Sequence, residues 1–171
     1  MRAEAANALA VLAGEPFWHI GRAADLVWLG FGPRQRVRTR TGGSKVVGRF
    51  ALHLQCPWRI TGRSVMVVGS QDLYLPPASA AKRRGWRWDK GPTMFDERVQ
   101  TYLAESAAPL ALVRSIASDR WGGFRLSMTR GLALEVFPAD TEDGEYAEWW
   151  RLFRPGTNSR HIVISRTRVS S

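Results

Sequence analysis

The stretch from Phe50 to Ile60, FALHLQCPWRI, alternates apolar and largely polar side chains with a period of two residues. Successive side chains of a β-strand point to opposite faces, so the pattern predicts a strand with one apolar face. That face carries Phe50, Leu52, Leu54, Cys56, Trp58 and Ile60. We predict that this strand, extended to 46–61, lies centrally in an antiparallel sheet. Proline has no N–H to donate, so Pro57 marks a bulge or an edge.

The polar face of the same strand is the better place to look for function. His53, Gln55 and Arg59 lie on it at a spacing of two residues, directly after an arginine-rich segment. Cys56 lies on the opposite, buried face. The His53–Cys56 spacing therefore does not predict a metal site, because strand positions three apart face opposite ways.

The rest of the chain predicts an α+β fold with a predominantly antiparallel sheet of about eight strands. An N-terminal helix is expected over 2–13 and a second helix near 95–107. Glycine and proline break the chain at Gly32-Pro33, and 76–93 is predicted to be a long loop. At 171 residues the chain is expected to form a single domain, 1–171.

The segment before the central strand carries arginine at every second position, at Arg34, Arg36, Arg38 and Arg40. If the segment is extended, all four guanidinium groups lie on one side. The sequence Thr-Gly-Gly-Ser over 41–44 is typical of a turn. Two interpretations remain open, an ordered hairpin arm leading into the central strand and a mobile, solvated loop.

Charge is unevenly distributed in a chain whose formal net charge is +10. No acidic residue occurs between Leu26 and Gln71, whereas the segment 132–149 contains acidic residues and no basic ones. A surplus of positive charge attracts polyanions. An alternative is that the acidic 135–148 segment docks on the basic 34–49 arm, within one subunit or between two.

The loop 76–93 contains a second candidate binding surface. Trp86 and Trp88 flank Arg87 there, close to a basic cluster at 82–84. Exposed indoles stack on nucleobases and arginine binds phosphates, so the composition is compatible with nucleic-acid binding. Trp28, Trp58 and one of the pair Trp149-Trp150 are expected to be core residues instead.

Motifs of common enzymes are absent from the sequence. It contains no nucleophile elbow, P-loop, dinucleotide-binding G-x-G-x-x-G or H-E-x-x-H pattern. We therefore assign no catalytic residue, no metal and no cofactor. The single cysteine excludes a disulfide within the chain, and no apolar run approaches the ~20 residues that span a bilayer. A cytoplasmic location without membrane contact is expected.

The segment HLQCPWRI, followed by VVGSQDLYLP and later by EWWRLF and HIVI, resembles a group of uncharacterised bacterial proteins. The resemblance covers most of 15–165 and implies no particular activity. The C-terminal part is also similar to small β-rich immunity proteins, which neutralise toxins by binding them. No residue role is implied by that second likeness.

Three functions follow from these observations. The leading prediction is a non-enzymatic protein that binds a macromolecule, with immunity-like or regulatory action, its partner being another protein or a second copy of itself. The first alternative is a nucleic-acid or polyanion binder that uses the Arg34–Arg40 arm. The second alternative is an enzyme whose site carries no recognisable motif.

Overall fold

Strands dominate the computed structural model, which describes residues 2–39, 41–80, 84–103, 110–141, 144, 147–166 and 169–170. These residues form the helices α1 (Arg2–Ala10) and α2 (Met94–Tyr102). The strands are β1 (Pro16–Ala23), β2 (Leu26–Arg38), β3 (Ser44–Leu54), β4 (Trp58–Thr61), β5 (Met66–Gly69), β6 (Ala111–Ser118), β7 (Phe124–Met128), β8 (Ala133–Val136), β9 (Trp150–Phe153), β10 (Ile162–Ile164) and β11 (Val169–Ser170). Short 3-10 turns lie at Ser70–Tyr74, Ala78–Ala80 and Thr129–Gly131.

The strands of the described residues join into one sheet in the order β11-β10-β9-β3-β2-β1-β6-β7-β8-β4-β5. Every neighbouring pair is antiparallel. The predicted α+β class with a mainly antiparallel sheet is therefore confirmed. The eleven strands exceed the predicted number of about eight, partly because the predicted strand 46–61 is divided into β3 and β4.

The sheet curls around a single connected core. In the sheet order, β3, β2, β1 and β6 separate β9 from β7, yet Trp150 of β9 meets Phe124 of β7 edge to face, with ring centroids 5.1 Å apart. The helices cover the same core: Leu9 of α1 is fully buried, and Phe95 of α2 packs 6.0 Å from Trp58. Edge-to-face ring contact is a favoured aromatic geometry.

The prediction of a buried apolar face from Phe50 to Ile60 is confirmed, but the prediction of a single strand there is wrong. All six predicted apolar positions are buried. However, β3 ends at Leu54 and β4 begins at Trp58, and these two strands lie far apart in the sheet order. The chain turns a corner at Gln55–Pro57, where the backbone N–H of Gln55 donates to Trp149 and the carbonyl of Pro57 accepts from Phe137. The next strand, β5, pairs antiparallel with β4.

The predicted break at Gly32-Pro33 is also wrong, since β2 continues through it to Arg38. The strand accommodates these residues in a bulge between Phe31 and Arg34. Gly32 adopts a φ of 81°, a left-handed conformation that glycine tolerates, and a bulge leaves proline without a ladder bond to make. The β2–β3 hairpin therefore extends as an ordered arm.

Gly48 of β3 faces this bulge, and its replacement by alanine is expected to destabilise the fold. An added Cβ would stand 2.5 Å from the carbonyl oxygen of Phe31 and 2.8 Å from its nitrogen, so the two strands must separate. We expect Gly48→Ala to lower the free energy of unfolding by about 2 kcal/mol, measured by urea denaturation. Gly62→Ala is the matched control, because its Cβ meets nothing closer than 3.5 Å. Equal stability of the two variants would contradict the tight approach.

The predicted helices are both present but differ in length. The N-terminal helix ends at Ala10 rather than at 13, and the second begins at Met94, while 104–109 lie outside the described residues. Thr93 caps α2 reciprocally with Asp96, and Arg22 of β1 binds the same Asp96 at 2.7 Å. No helix of the described residues is long and apolar enough to cross a membrane.

Candidate functional site

A cleft of about 450 Å³ lies on the outer face of the sheet, across β1, β2, β3 and β9. Its volume lies in the usual range of ligand sites, about 300–1,000 Å³. Aromatic and apolar side chains dominate the lining. The lining residues are Trp18, His19, Leu26, Trp28, Leu29, Gly30, Lys45, Val46, Val47, Gly48, Ala51, His53, Phe153 and Pro155.

A bulge in β1 supplies two of the aromatic residues. Phe17 pairs with Phe31 and His19 pairs with Gly30, so Trp18 is an extra residue between two ladder positions. Phe17 is in the core, whereas Trp18 and His19 both reach the cleft, their ring centroids 5.3 Å apart. Bulges re-aim side chains in this way next to functional sites.

Glycines and small residues form the floor of the cleft. Gly21 pairs with Trp28, and a Cβ on Gly21 would stand 2.7 Å from the Trp28 ring, so the indole lies flat over the glycine. Its Nε1–H donates to Nε2 of His19 at 3.2 Å. Gly30 and Ala51 pair on the next row and leave room above the sheet. The orientation of Trp28 is thus fixed by a close contact and a hydrogen bond.

Stacked rings form the wall on the β9 side. His53 meets Phe153 edge to face with centroids 4.8 Å apart, and His161 stacks on Phe153 at 4.3 Å. All three histidines of the chain therefore lie at or next to the cleft. His53 pairs across the ladder with Arg151, whose guanidinium binds Glu148.

Burial, together with the nearby positive charge of Arg151, lowers the pKa of His53 from 6.5 to about 4. The His53 ring is therefore neutral near pH 7 and carries one N–H donor and one nitrogen acceptor. The bond to Glu148 raises the pKa of Arg151, so that side chain stays charged. The cleft is thus an apolar, aromatic space with the neutral imidazole of His53 in its lining and the positive charge of Arg151 beside it.

The lowered pKa of His53 predicts a loss of stability in acid. In the unfolded chain histidine titrates near 6.5, whereas folded His53 titrates near 4, so protons favour the unfolded state between these values. The contribution of His53 is present above pH 6.5 and is lost as the pH falls towards 4. We expect an NMR titration of the His53 ring to have its midpoint near pH 4. Urea midpoints of His53→Gln should fall less over this window than those of the wild type.

His161→Gln is the matched control for this prediction, because residue 161 is exposed. A His53 midpoint near 6.5, or the same acid dependence in wild type and His53→Gln, would contradict the burial of a neutral ring.

The basic arm adjoins the end of the cleft that Lys45, Val46 and Val47 line. We use the term basic arm for the part of the β2–β3 hairpin that carries Arg34, Arg36, Arg38 and Lys45, all exposed. The guanidinium of Arg34 lies 4.5 Å from the centroid of the Trp18 ring, and Lys45 lines the cleft. Arg36 donates to Ser44 across the hairpin at 3.1 Å. The ordered form of the arm is therefore the observed one, while Arg40 lies outside the described residues.

The predicted polar face of 50–60 is not a single surface. His53 lines the cleft, but Gln55 is exposed at the corner between β3 and β4. Arg59 lies on β4, where it binds Glu135 together with Arg125, and its hydrogen bond lowers the pKa of Glu135. The corner at Pro57 separates the three residues, which strict alternation along a single strand places together.

The candidate binding residues of the loop 76–93 all have partners within the protein. Trp86 is half-buried, and its Nε1–H donates to the carbonyl of Pro92 at 2.8 Å. Trp88 is half-buried against Tyr74, and Arg87 binds Asp89 at 2.7 Å. Trp86 and Trp88 are therefore half-buried rather than fully exposed, and a binding role for them stays a prediction.

Where the structure describes the 135–148 segment, its glutamates bind arginines that lie outside the basic arm. Glu135 binds Arg59 and Arg125, and Glu148 binds Arg151. Residues 142, 143, 145 and 146 lie outside the described part, so docking of that stretch stays a prediction.

Trp28, predicted to be core, lies in the cleft instead, whereas Trp58, Trp149 and Trp150 are buried as predicted.

Chemically reactive groups are not assembled near the cleft in the described residues. Cys56 faces the core, and burial raises the pKa of its thiol to about 12, so it is an unreactive thiol. The described residues contain no group of three or more histidine, cysteine, aspartate or glutamate side chains placed to hold a metal ion.

Comparisons of the chain with models of known protein families, with curated proteins and with solved structures find no match. The site is therefore assigned from its own geometry.

Sequence reasoning missed Trp18, His19, Trp28 and Phe153 as parts of one site. The available signal was the run Phe-Trp-His at 17–19, in which three consecutive aromatic rings cannot all face one core. A bulge is the local structure that turns two of them outward.

Proposed function

We propose that this chain is a non-enzymatic binding protein whose contact surface is the basic arm together with the aromatic cleft. The observation that carries the proposal is the stacking of Arg34 on Trp18, 4.5 Å from the ring centroid. That contact joins the two parts into a continuous surface. The cationic part attracts an anionic macromolecule, and the aromatic part provides flat apolar contacts.

Single-stranded nucleic acid is the macromolecule whose chemistry matches both parts. Its phosphates suit the exposed cations of the basic arm, which are Arg34, Arg36 and Arg38 on one face of the hairpin and Lys45 on the other. Its unpaired bases suit the cleft, because bases stack on aromatic side chains irrespective of sequence. An acidic protein partner, or a second copy of the chain through its acidic segment, would need the arm but not the cleft.

The placement of the reactive side chains favours binding over catalysis. His53 is on the outer face of β3, and Cys56 is on the inner side after the strand has ended, so they do not form a base–nucleophile pair. The neutral His53 ring has an aromatic neighbour, Phe153, where a catalytic histidine would need an orienting carboxylate.

Fluorescence anisotropy of a labelled dT12 oligonucleotide tests the proposal. If the four arm cations each neutralise a phosphate, the slope of log K against log salt is about −2.8, and affinity falls about 50-fold between 50 and 200 mM KCl. Absence of binding at 50 mM KCl would overturn the nucleic-acid assignment. Binding of poly-L-glutamate in place of dT12 would show instead that the arm serves an acidic protein.

A further inference from the structure

The indole nitrogen of Trp18 is a buried donor without a partner. Trp18 is 6% exposed, and its Nε1–H makes no hydrogen bond to any residue that the structure describes. By contrast, four other buried or half-buried indoles have an acceptor for their Nε1–H. The pairs are Trp28 with His19, Trp86 with Pro92, Trp149 with Asp140 and Trp150 with Gly122. Buried polar groups are normally hydrogen-bonded, so an unpaired donor beside a cavity indicates a place for a ligand acceptor.

The edge of the Trp18 indole that carries Nε1 borders the floor of the cleft. Nε1 is bonded to Cε2, and Cε2 lies 3.4 Å from the position that a Cβ on Gly30 would take. Gly30 and Trp18 both line the cleft. A side chain at position 30 would occupy the space beside the indole, and glycine leaves it open.

We propose that the cleft holds one unstacked nucleobase of a bound single strand, and that a carbonyl oxygen or ring nitrogen of that base accepts the Nε1–H of Trp18. This inference rests on the function proposed above and names the group that enters the cleft. The flat rings of Trp28 and Phe153 provide stacking surfaces, and the small floor residues Gly30 and Ala51 give a planar ligand access.

A base fits this space better than a phosphate does. The lining is mostly apolar, and the neutral His53 has both a donor and an acceptor to offer a base edge. The cations that suit phosphates lie on the arm, where Arg34 spans from the solvent to the Trp18 ring. The bound nucleic-acid strand is therefore held with its phosphate backbone on the basic arm and one base turned into the cleft.

Comparison of dT12 with a twelve-unit abasic oligomer tests the inference, because the two have the same phosphates and only dT12 has bases. We expect the wild type to bind the abasic oligomer at least about tenfold more weakly. Trp18→Phe keeps an aromatic ring beneath Arg34 but removes the N–H, and it should weaken binding of dT12 about tenfold more than it weakens binding of the abasic oligomer. Trp121→Phe, at a 64% exposed indole, is the control and should match the wild type.

The outcomes separate the two proposals. Binding of neither oligomer contradicts the proposed function itself. Equal binding of both by the wild type leaves phosphate contact by the arm intact and overturns the base pocket. If Trp18→Phe weakens both oligomers equally, the substitution acts through Arg34 and the arm, and the hydrogen bond to a base is refuted. If Trp18→Phe does not fold, the wild-type comparison of the two oligomers still decides.

Discussion

Replacement of Trp150 by alanine is expected to lower the free energy of unfolding by about 4 kcal/mol. The side chain is fully buried, meets Phe124 at 5.1 Å and donates from Nε1 to the carbonyl of Gly122 at 2.7 Å. Its loss opens a cavity between β9 and β7 and leaves a buried carbonyl without its donor. Because this contact joins two distant parts of the curled sheet, neighbouring side chains have little freedom to fill the space.

Urea denaturation followed by far-UV circular dichroism measures this effect. Trp121→Ala removes the same side chain from a position that is 64% exposed, and we expect it to change stability by less than about 0.5 kcal/mol. A loss below about 1 kcal/mol for Trp150→Ala would contradict the closure of the sheet around a shared core.

Neutralising the arm is expected to have the largest effect on binding. In the triple variant Arg34→Gln, Arg36→Gln and Arg38→Gln, three exposed guanidinium groups are lost. With about 1 kcal/mol for each charge-assisted phosphate contact, affinity for dT12 falls about a hundredfold at 50 mM KCl. The salt slope should become shallower by about 2, since each phosphate contact on a single strand contributes about 0.7.

A second triple variant separates the arm from the net charge. Arg84→Gln, Arg114→Gln and Arg120→Gln also remove three exposed cations, but from the loop before α2, from β6 and from the turn after it. We expect its affinity for dT12 to stay within about threefold of the wild type, because these groups are not on the arm. Equal losses in the two triple variants would mean that only overall charge matters.

The sequence was a good guide to the faces of strands and a poor guide to where strands end. The alternation over 50–60 correctly identified six buried positions, because β3, the corner and β4 all line one curled core. The same alternation continues through the corner, so it contained no sign that His53 and Arg59 lie in different parts of the sheet. Only the pairing of β3 with β9 and of β4 with β8 separates them.

The ordered arm was one of two forms that the sequence left open, whereas the cleft was not predicted at all. Arginines at every second position, followed by a glycine-rich turn, predicted that Arg34, Arg36 and Arg38 share one exposed side, and they do. The cleft depends on a bulge at Trp18 that breaks strict alternation. It also depends on neighbours far apart in the sequence, such as His53 and Phe153, which the pairing of β3 with β9 brings together.

The most direct test of the combined surface is a titration of ¹⁵N-tryptophan-labelled protein with dT12, followed through the indole N–H signals of the eight tryptophans. Each signal is assigned by a single Trp→Phe variant. The proposed surface predicts that the signals of Trp18 and Trp28 move on binding, and that those of Trp86, Trp88 and Trp121 do not. Unchanged signals of Trp18 and Trp28 in the saturated complex would contradict the participation of the cleft.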